Sequence, residues 1–186
     1  CRTHRAGPVL KEVCSLPEIA CPKARIRALL TDVDGVWTDG GMYFDQRGQA
    51  LKRFDVKDGY IVALVRESGV RVVWVTGDDS DITRARARRL GIDQVCSGVE
   101  DKGACVQAVL TEHGLCPDEI VYMGDDLNDL PAISAAGFSA CPADAVPQVQ
   151  AAVSLVLSRK GGHGAVREIC ELIMKWNQRF QGARAE

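Results

Sequence analysis

The chain has 186 residues, of which 46% are hydrophobic and 26% are charged, as expected for one soluble α/β domain with its own core. Its 23 basic and 25 acidic residues give a formal net charge of −2, so charge provides no attraction for a nucleic acid or an anionic membrane. No apolar run is long enough to span a bilayer and no signal-peptide core is present, so we expect a cytoplasmic protein.

From residue 25 onward, predicted strands alternate with predicted helices, which is typical of a parallel sheet with crossover helices. The strands are predicted at 26–32, 70–76, 94–97, 119–125, 138–141 and 154–158. The helices are predicted at 58–68, 80–90, 102–113, 127–136 and 164–180, the second to fourth of them ending at Gly91, Gly114 and Gly137. We expect one domain over 25–180, an N-terminal extension or linker over 1–24 and a tail over 181–186.

The segment 42–55 interrupts this alternation and reads as a β-hairpin around Asp45-Gln46-Arg47-Gly48. The interval between Asp34 and Thr76 therefore holds one hairpin and one helix, which is too little for a cap domain. The predicted fold is a Rossmann-like, three-layer α/β/α arrangement with a hairpin inserted after the first strand and no cap.

Polar residues follow the predicted strands at the edge where open α/β sheets bind ligands. The first strand ends in Asp32 and Asp34, the second leads to Thr76, the third loop reaches Lys102, and the fourth strand ends at Asp125. Like charges this close repel unless a cation or a proton relieves them. Four loops therefore indicate a carboxylate-rich site for a hard metal ion and acid–base chemistry.

Simpler interpretations exist for each motif alone. Asp32-Val33-Asp34-Gly35 could be a turn, but a calcium loop would need other residues where Val36 and Tyr43 stand. The segment 159–168 lacks the Gly-Lys-Ser/Thr of a phosphate loop. Eight cysteines without a CxxC pair, and three histidines away from them, predict reduced thiols rather than structural zinc.

The ordered set of DVDG, Thr76, Lys102 and GDDLND resembles the haloacid dehalogenase-type phosphatases across residues 25–175. The stretches TDVDGVWTDG, FDVKDGY, GDDLND and GGHGAVRE resemble the capless branch that acts on ulosonate phosphates. That branch includes phosphatases of 3-deoxy-manno-octulosonate 8-phosphate and of nine-carbon ulosonate 9-phosphates, and the C-terminal module of CMP-sialate synthetases is similar.

The resemblance implies a covalent mechanism on a phosphate monoester. Asp32 would attack phosphorus and form an aspartyl-phosphate, and Asp34 would protonate the leaving sugar oxygen and then activate water. Thr76, Gly77 and Lys102 would bind the phosphate oxygens.

The resemblance also implies a magnesium site. Mg²⁺ would be held by the Asp32 carboxylate, the Asp34 backbone carbonyl and Asp125. Asp126 and Asp129 would support the metal and the lysine.

The substrate is expected to be an acidic sugar phosphate, bound at a rim that contains Asp78, Lys57, Arg53 and Arg167. The octulosonate branch usually has arginine where this chain has Asp78, which favours a nine-carbon ulosonate 9-phosphate over the 8-phosphate. Asp78 would accept substrate hydroxyls or form a salt link to an arginine such as Arg86. The final loop has Gly-Gly-His where the branch more commonly has Gly-Gly-Arg, so the resemblance assigns no substrate contact to His163.

Without a cap, a neighbouring subunit is expected to cover the site, in a homotetramer whose hairpins pack together. The sequence allows two other interpretations. One is a non-catalytic oligomerisation module of a CMP-sialate synthetase, which the intact set of site residues disfavours. The other is a phospho-accepting receiver domain, which Asp34 disfavours because a general acid beside the acceptor would shorten the life of the phosphoryl group.

Overall fold

The computed structural model describes residues 20–182, and its centre is a six-stranded parallel sheet. Its strands are β1 (Ala28–Thr31), β4 (Arg71–Val75), β5 (Gln94–Cys96), β6 (Ile120–Met123), β7 (Phe138–Cys141) and β8 (Leu155–Val156), in the order β5-β4-β1-β6-β7-β8. β2 (Tyr43–Asp45) and β3 (Gly48–Leu51) form a separate antiparallel pair. The helices are α1 (Val56–Glu67), α2 (Asp81–Leu90), α3 (Lys102–His113), α4 (Leu130–Ala135), α5 (Pro147–Ala152) and α6 (Ala165–Gly182).

Both faces of the sheet are covered, which explains why the central strands are apolar without interruption. On one face, Leu29 and Trp74 pack with residues of α1 and α6 such as Ile61 and Ile169. On the other, Leu30 packs with residues of α3, α4 and α5. These two cores confirm the predicted three-layer α/β/α arrangement.

The hairpin is confirmed, and an isolated antiparallel bridge between Thr38 and Phe54 joins the segments that flank it. Only this hairpin and α1 lie between β1 and β4, so this interval contains no cap domain. Within the described residues, no helix is both long and apolar enough to cross a membrane.

Several element ends differ from the prediction. Gly91 and Gly114 are the left-handed C-caps of α2 and α3, as expected, but α4 ends at Ala135 with Ala136 as its C-cap, so the prediction for Gly137 is wrong. The predicted helix 127–136 begins with a 3₁₀ turn at Leu127–Asp129. The short helix α5 was not predicted. The predicted N-terminal extension lies mostly outside the described residues, as does most of the tail.

Candidate active site

The carboxyl ends of the three central strands meet at one edge of the sheet. The register aligns Thr31 of β1 with Trp74 of β4 and with Met123 of β6. The next residues along each strand, Asp32 among them, therefore lie side by side at this edge. The structure confirms the convergence of loops that the sequence predicts.

Lys102 joins two carboxylates at the centre of this edge. Its Nζ lies 2.9 Å from Asp32 Oδ2 and 2.8 Å from Asp129 Oδ1, and all three side chains are buried. Burial works to lower the pKa of Lys102, but the two carboxylates outweigh it and raise the pKa above the ordinary value. The two carboxylates thus favour the charged form of Lys102 inside the site.

Asp129 organises the loop after β6. Its Oδ1 accepts the Tyr122 hydroxyl at 2.7 Å as well as the lysine, and its Oδ2 accepts the backbone N–H groups of Asp125 and Asp126 at 2.9 and 3.2 Å. Every oxygen of this buried carboxylate therefore has partners. Asp129 fixes both the lysine and the backbone that carries Asp125.

Asp32, Asp125 and Asp129 each place a carboxylate oxygen within 4.8 Å of the others. Burial and then the charge of Asp129 raise the pKa of Asp32 to about 7, against the opposing effect of Lys102. Burial, followed by the charges of Asp32 and Asp129, raises the pKa of Asp125 to about 8. Three carboxylates face one ammonium, so the cluster lacks positive charge.

Asp125 Oδ1 is buried and has no hydrogen-bond partner, an arrangement that costs free energy unless another group binds it. An oxygen-rich, anionic cluster with an unpaired carboxylate oxygen fits Mg²⁺, which prefers carboxylate and water ligands. Gly35 (φ +80°) lies against the Asp125 carboxylate, where any Cβ would overlap it. The glycine of DVDG is therefore needed for the close approach of the two loops.

Asp34 lies next to this cluster and is held by two groups of the chain. Its Oδ1 accepts the Thr38 hydroxyl at 3.4 Å, and its Oδ2 accepts Lys52 Nζ at 2.6 Å. The carboxylate is about one-third exposed, so it remains open to a ligand. Thr76 is buried at the end of β4, and its hydroxyl oxygen accepts the Asp78 N–H at 3.1 Å.

The glycine-rich loop that precedes α6 packs directly on the DVDG loop. A Cβ on Gly161 would overlap the backbone carbonyl of Gly35, so only glycine fits there. The buried Asp58 of α1 accepts the N–H groups of Gly164 and Arg167 at 3.1 and 2.8 Å. This carboxylate joins the FDVKDGY and GGHGAVRE segments, which are far apart in the sequence.

Three of the residues predicted at the substrate rim, Asp78, Arg53 and Lys57, lie in different surroundings. Asp78 lies beside the site, but its salt link is to Lys52 and not to Arg86 as expected. Arg53 donates to the Gly162 carbonyl at 3.1 Å and pairs with Asp39. Lys57 is exposed in the first turn of α1.

The remaining predicted residues lie as follows. Arg167 directs its side chain along α6 to Glu171, at 2.7 Å. His163 Nδ1 lies 2.7 Å from the Gly161 carbonyl oxygen, and its Nε2 lies 3.3 Å from Arg53. Asp126 is exposed and accepts the Leu127 N–H at the start of the 3₁₀ turn, so its side chain contacts the loop rather than the lysine. Gly77 is exposed at the end of β4.

Sequence reasoning missed four residues of the site: Thr38, Lys52, Thr83 and Tyr122. Lys52 is the most consequential, because its side chain is completely buried next to Asp34. A lysine in a hairpin strand normally faces solvent, so the local pattern gives no signal. The only hint is the surplus of carboxylates, which a single lysine cannot balance.

Comparison with known proteins identifies similar chains. Residues 49–137 match the haloacid dehalogenase-like hydrolase family. The 3-deoxy-D-manno-octulosonate 8-phosphate phosphatase of Yersinia pestis is 38% identical over 95% of this chain and 91% of its own length. The phosphatase of the same name from Escherichia coli K12 is 33% identical over 97% of this chain and 93% of its own.

Solved structures agree with these sequence matches. The Moraxella catarrhalis 3-deoxy-D-manno-octulosonate 8-phosphate phosphatase, in complex with a magnesium ion, a phosphate ion and KDO, has a TM-score of 0.80 and 34% identity, covering 87% of this chain and 92% of that one. The cobalt-bound form of the Haemophilus influenzae enzyme has a TM-score of 0.81 and 38% identity, covering 83% of this chain and 90% of that one.

Proposed function

Because the chain belongs to the haloacid dehalogenase-like hydrolases, we propose that it is a Mg²⁺-dependent phosphatase acting on an acidic keto-sugar phosphate. The observation that carries this proposal is the buried contact of Lys102 with Asp32 and Asp129, beside the unpaired oxygen of Asp125. A cation, a nucleophilic carboxylate and an anionic cluster in one place suit phosphoryl transfer, which depends on positioning and charge.

The proposed reaction has two halves. An Asp32 oxygen bonds to phosphorus as the bond to the sugar oxygen breaks, and Asp34 gives that oxygen its proton. Asp34 then takes a proton from water, whose oxygen bonds to phosphorus while the bond to Asp32 breaks. Release of inorganic phosphate returns both carboxyl groups to their starting states.

Phosphate binding is assigned to Lys102, Thr76 and the Gly77 backbone. Asp32, Asp125 and the Asp34 carbonyl would hold Mg²⁺, which supplies positive charge to the phosphate oxygens when bound. Asp129 holds Lys102 through the 2.8 Å contact and keeps the Asp125 backbone in place. These roles follow the family resemblance residue by residue.

For the sugar, we propose 3-deoxy-D-manno-octulosonate 8-phosphate rather than the nine-carbon 9-phosphate that the sequence favours. The similar curated proteins and the Moraxella structure bear the eight-carbon name. The nine-carbon argument needs Asp78 to accept substrate hydroxyls, but this carboxylate already accepts Lys52, Ser80 and Thr83. Arg53, Lys57 and Arg167 remain the candidates for contacts with the sugar acid.

Phosphate release should be measured with Mg²⁺ and with EDTA on the 8-phosphate, a nine-carbon ulosonate 9-phosphate and glucose 6-phosphate. We expect release only with Mg²⁺ and the highest kcat/KM for the 8-phosphate. A higher value for the nine-carbon substrate would restore the alternative specificity. No release from any of the three would overturn the phosphatase proposal, and would favour a non-catalytic module.

We also propose a homotetramer in which hairpins pack together and adjacent chains cover the sites. The hairpin exposes Met42, Tyr43, Phe44 and Leu51, with exposed fractions from 48% to 67%. Four exposed apolar side chains on one short hairpin indicate a protein interface. Covering by a second copy would exclude water from a site that has no cap.

A further inference from the structure

Lys52 is a buried cation to which the proposed reaction gives no role. It follows β3 directly, and its side chain is 0% exposed. Its Nζ lies 2.6 Å from Asp34 Oδ2, 3.0 Å from Asp78 Oδ2 and 3.2 Å from Thr83 Oγ1. Three acceptors thus match the three N–H donors of the ammonium, which fixes its position.

Asp78 is the second anchor of this ammonium. Its Oδ2 also accepts the hydroxyls of Ser80 and Thr83, each at 2.6 Å. Although burial alone raises the pKa of Asp78, these two hydroxyls and Lys52 together lower it to about 2. Asp78 is therefore an anion throughout the physiological pH range, and it is the second carboxylate that holds Lys52.

We propose that Lys52 is a positioning residue that holds the Asp34 carboxyl for proton transfer to the leaving oxygen, and that Asp78 acts on the reaction through Lys52. The proposal rests on the proposed function, because it gives Lys52 a task in that reaction. Thr38 is the only other described side chain that holds Asp34, and its contact is longer, at 3.4 Å. Without Lys52, the Asp34 side chain would be free to adopt other rotamers.

This proposal gives Asp78 a different role from the sugar contact that the sequence predicts. A residue that binds the sugar directly would alter KM for one sugar against another. A residue that acts through Lys52 would instead alter the rate of proton transfer from Asp34, for every substrate whose leaving group needs a proton. The two roles can be separated by the chemistry of the leaving group.

The test compares two substrates that differ in their need for general acid. The sugar of the 8-phosphate would leave phosphorus as an alkoxide, which requires a proton. The leaving group of p-nitrophenyl phosphate is a stable phenolate, which does not. The quantity is kcat/KM, because it covers steps up to the loss of the leaving group and excludes the later hydrolysis of the aspartyl-phosphate, where Asp34 also acts.

We expect Lys52→Met to lower kcat/KM for the 8-phosphate by roughly 10- to 100-fold, part of the range that general acid catalysis contributes, and that for p-nitrophenyl phosphate by less than about threefold. Asp78→Asn should give a smaller change with the same selectivity, and should add nothing in the Lys52→Met background. Lys175→Met, at an exposed position of α6, should change neither value.

An equal loss on both substrates would overturn the proposal, since it would mean that Lys52 supports the site as a whole. No loss on either would overturn it too. If Lys52→Met fails to fold, the double variant Lys52→Met/Asp78→Asn removes both buried charges and gives the same comparison. A wild-type chain that hydrolyses neither substrate would instead overturn the proposed function, and this inference with it.

Discussion

Asp32 is the residue whose replacement tests the covalent mechanism most directly. Asp32→Asn keeps the shape of the side chain and one oxygen acceptor for Lys102, but it removes the nucleophilic carboxylate. We expect kcat to fall by roughly three decades or more, with an unchanged circular dichroism spectrum. Asp81→Asn, at a side chain that is 95% exposed, is the matched control and should retain wild-type turnover. Near-normal turnover in Asp32→Asn would exclude an aspartyl-phosphate.

The acidic cluster predicts a pH-dependent effect of Mg²⁺ on stability. Carboxyl groups whose pKa is raised on folding stabilise the fold fully below about pH 4, and this contribution is lost as the pH rises through the folded pKa values. Those values are about 7 for Asp32 and about 8 for Asp125. The metal-free chain should therefore become less stable between about pH 5 and pH 8.

Mg²⁺ should oppose this loss because it binds the ionised carboxylates. The difference in Tm between Mg²⁺ and EDTA should grow from pH 5.5 to pH 8.5, as differential scanning fluorimetry can measure. Asp125→Asn should reduce the difference at the higher pH. A difference that stayed constant over this range would show that Mg²⁺ binds elsewhere.

The site residues that follow strands of the parallel sheet could be predicted from the sequence. Residues that enter the site from other parts of the fold, such as the hairpin, were missed. Asp32, Asp125 and Lys102 could be found because parallel strands end at one edge, so residues after them must converge. Lys52 could not, because its burial depends on how the hairpin folds back on the sheet. For Asp78, the sequence identified the position but not its partner, since no local pattern relates Asp78 to Lys52.

Among the elements, α1 and α6 depend on each other through one carboxylate. Asp58 of α1 accepts two N–H groups at the start of α6, which would otherwise be buried without partners. Asp58→Ala should lower the free energy of unfolding by about 1–3 kcal/mol in urea titrations. Glu171→Gln, which affects only the exposed pair with Arg167, should cost less than about 0.5 kcal/mol. Equal effects would contradict this role of Asp58.

The elements themselves were predictable to different degrees. The predictions for the apolar strands and for the glycine-capped helices α2 and α3 match the structure. In these elements the local sequence preference agrees with the packing of the whole fold. The helix α5 was missed because Pro147 and the polar residues around it suggest a loop, although proline suits the first turn of a helix.

For the whole molecule, the exposed apolar hairpin predicts assembly. Phe44→Glu places a charge on a side chain that is 67% exposed in the single chain and should dissociate the proposed tetramer. Light scattering should then give a smaller mass, and kcat/KM should fall because the sites lose their cover. Val156→Glu, on the short strand β8, is the control and should keep the assembly. A wild-type chain that is monomeric and active at assay concentration would contradict the proposal.

The change from exposed Leu51, the last residue of β3, to buried Lys52 has a consequence for the permitted length of the hairpin. Leu51 is 51% exposed while Lys52, the next residue, is buried against Asp34. An insertion of one residue after Ala50 would turn Lys52 outward unless a bulge absorbed it, whereas an insertion of two would keep its side chain on the inner side. Natural length variation in this strand should therefore occur in pairs of residues, even though the hairpin lies on the surface, where insertions are usually tolerated without such a constraint.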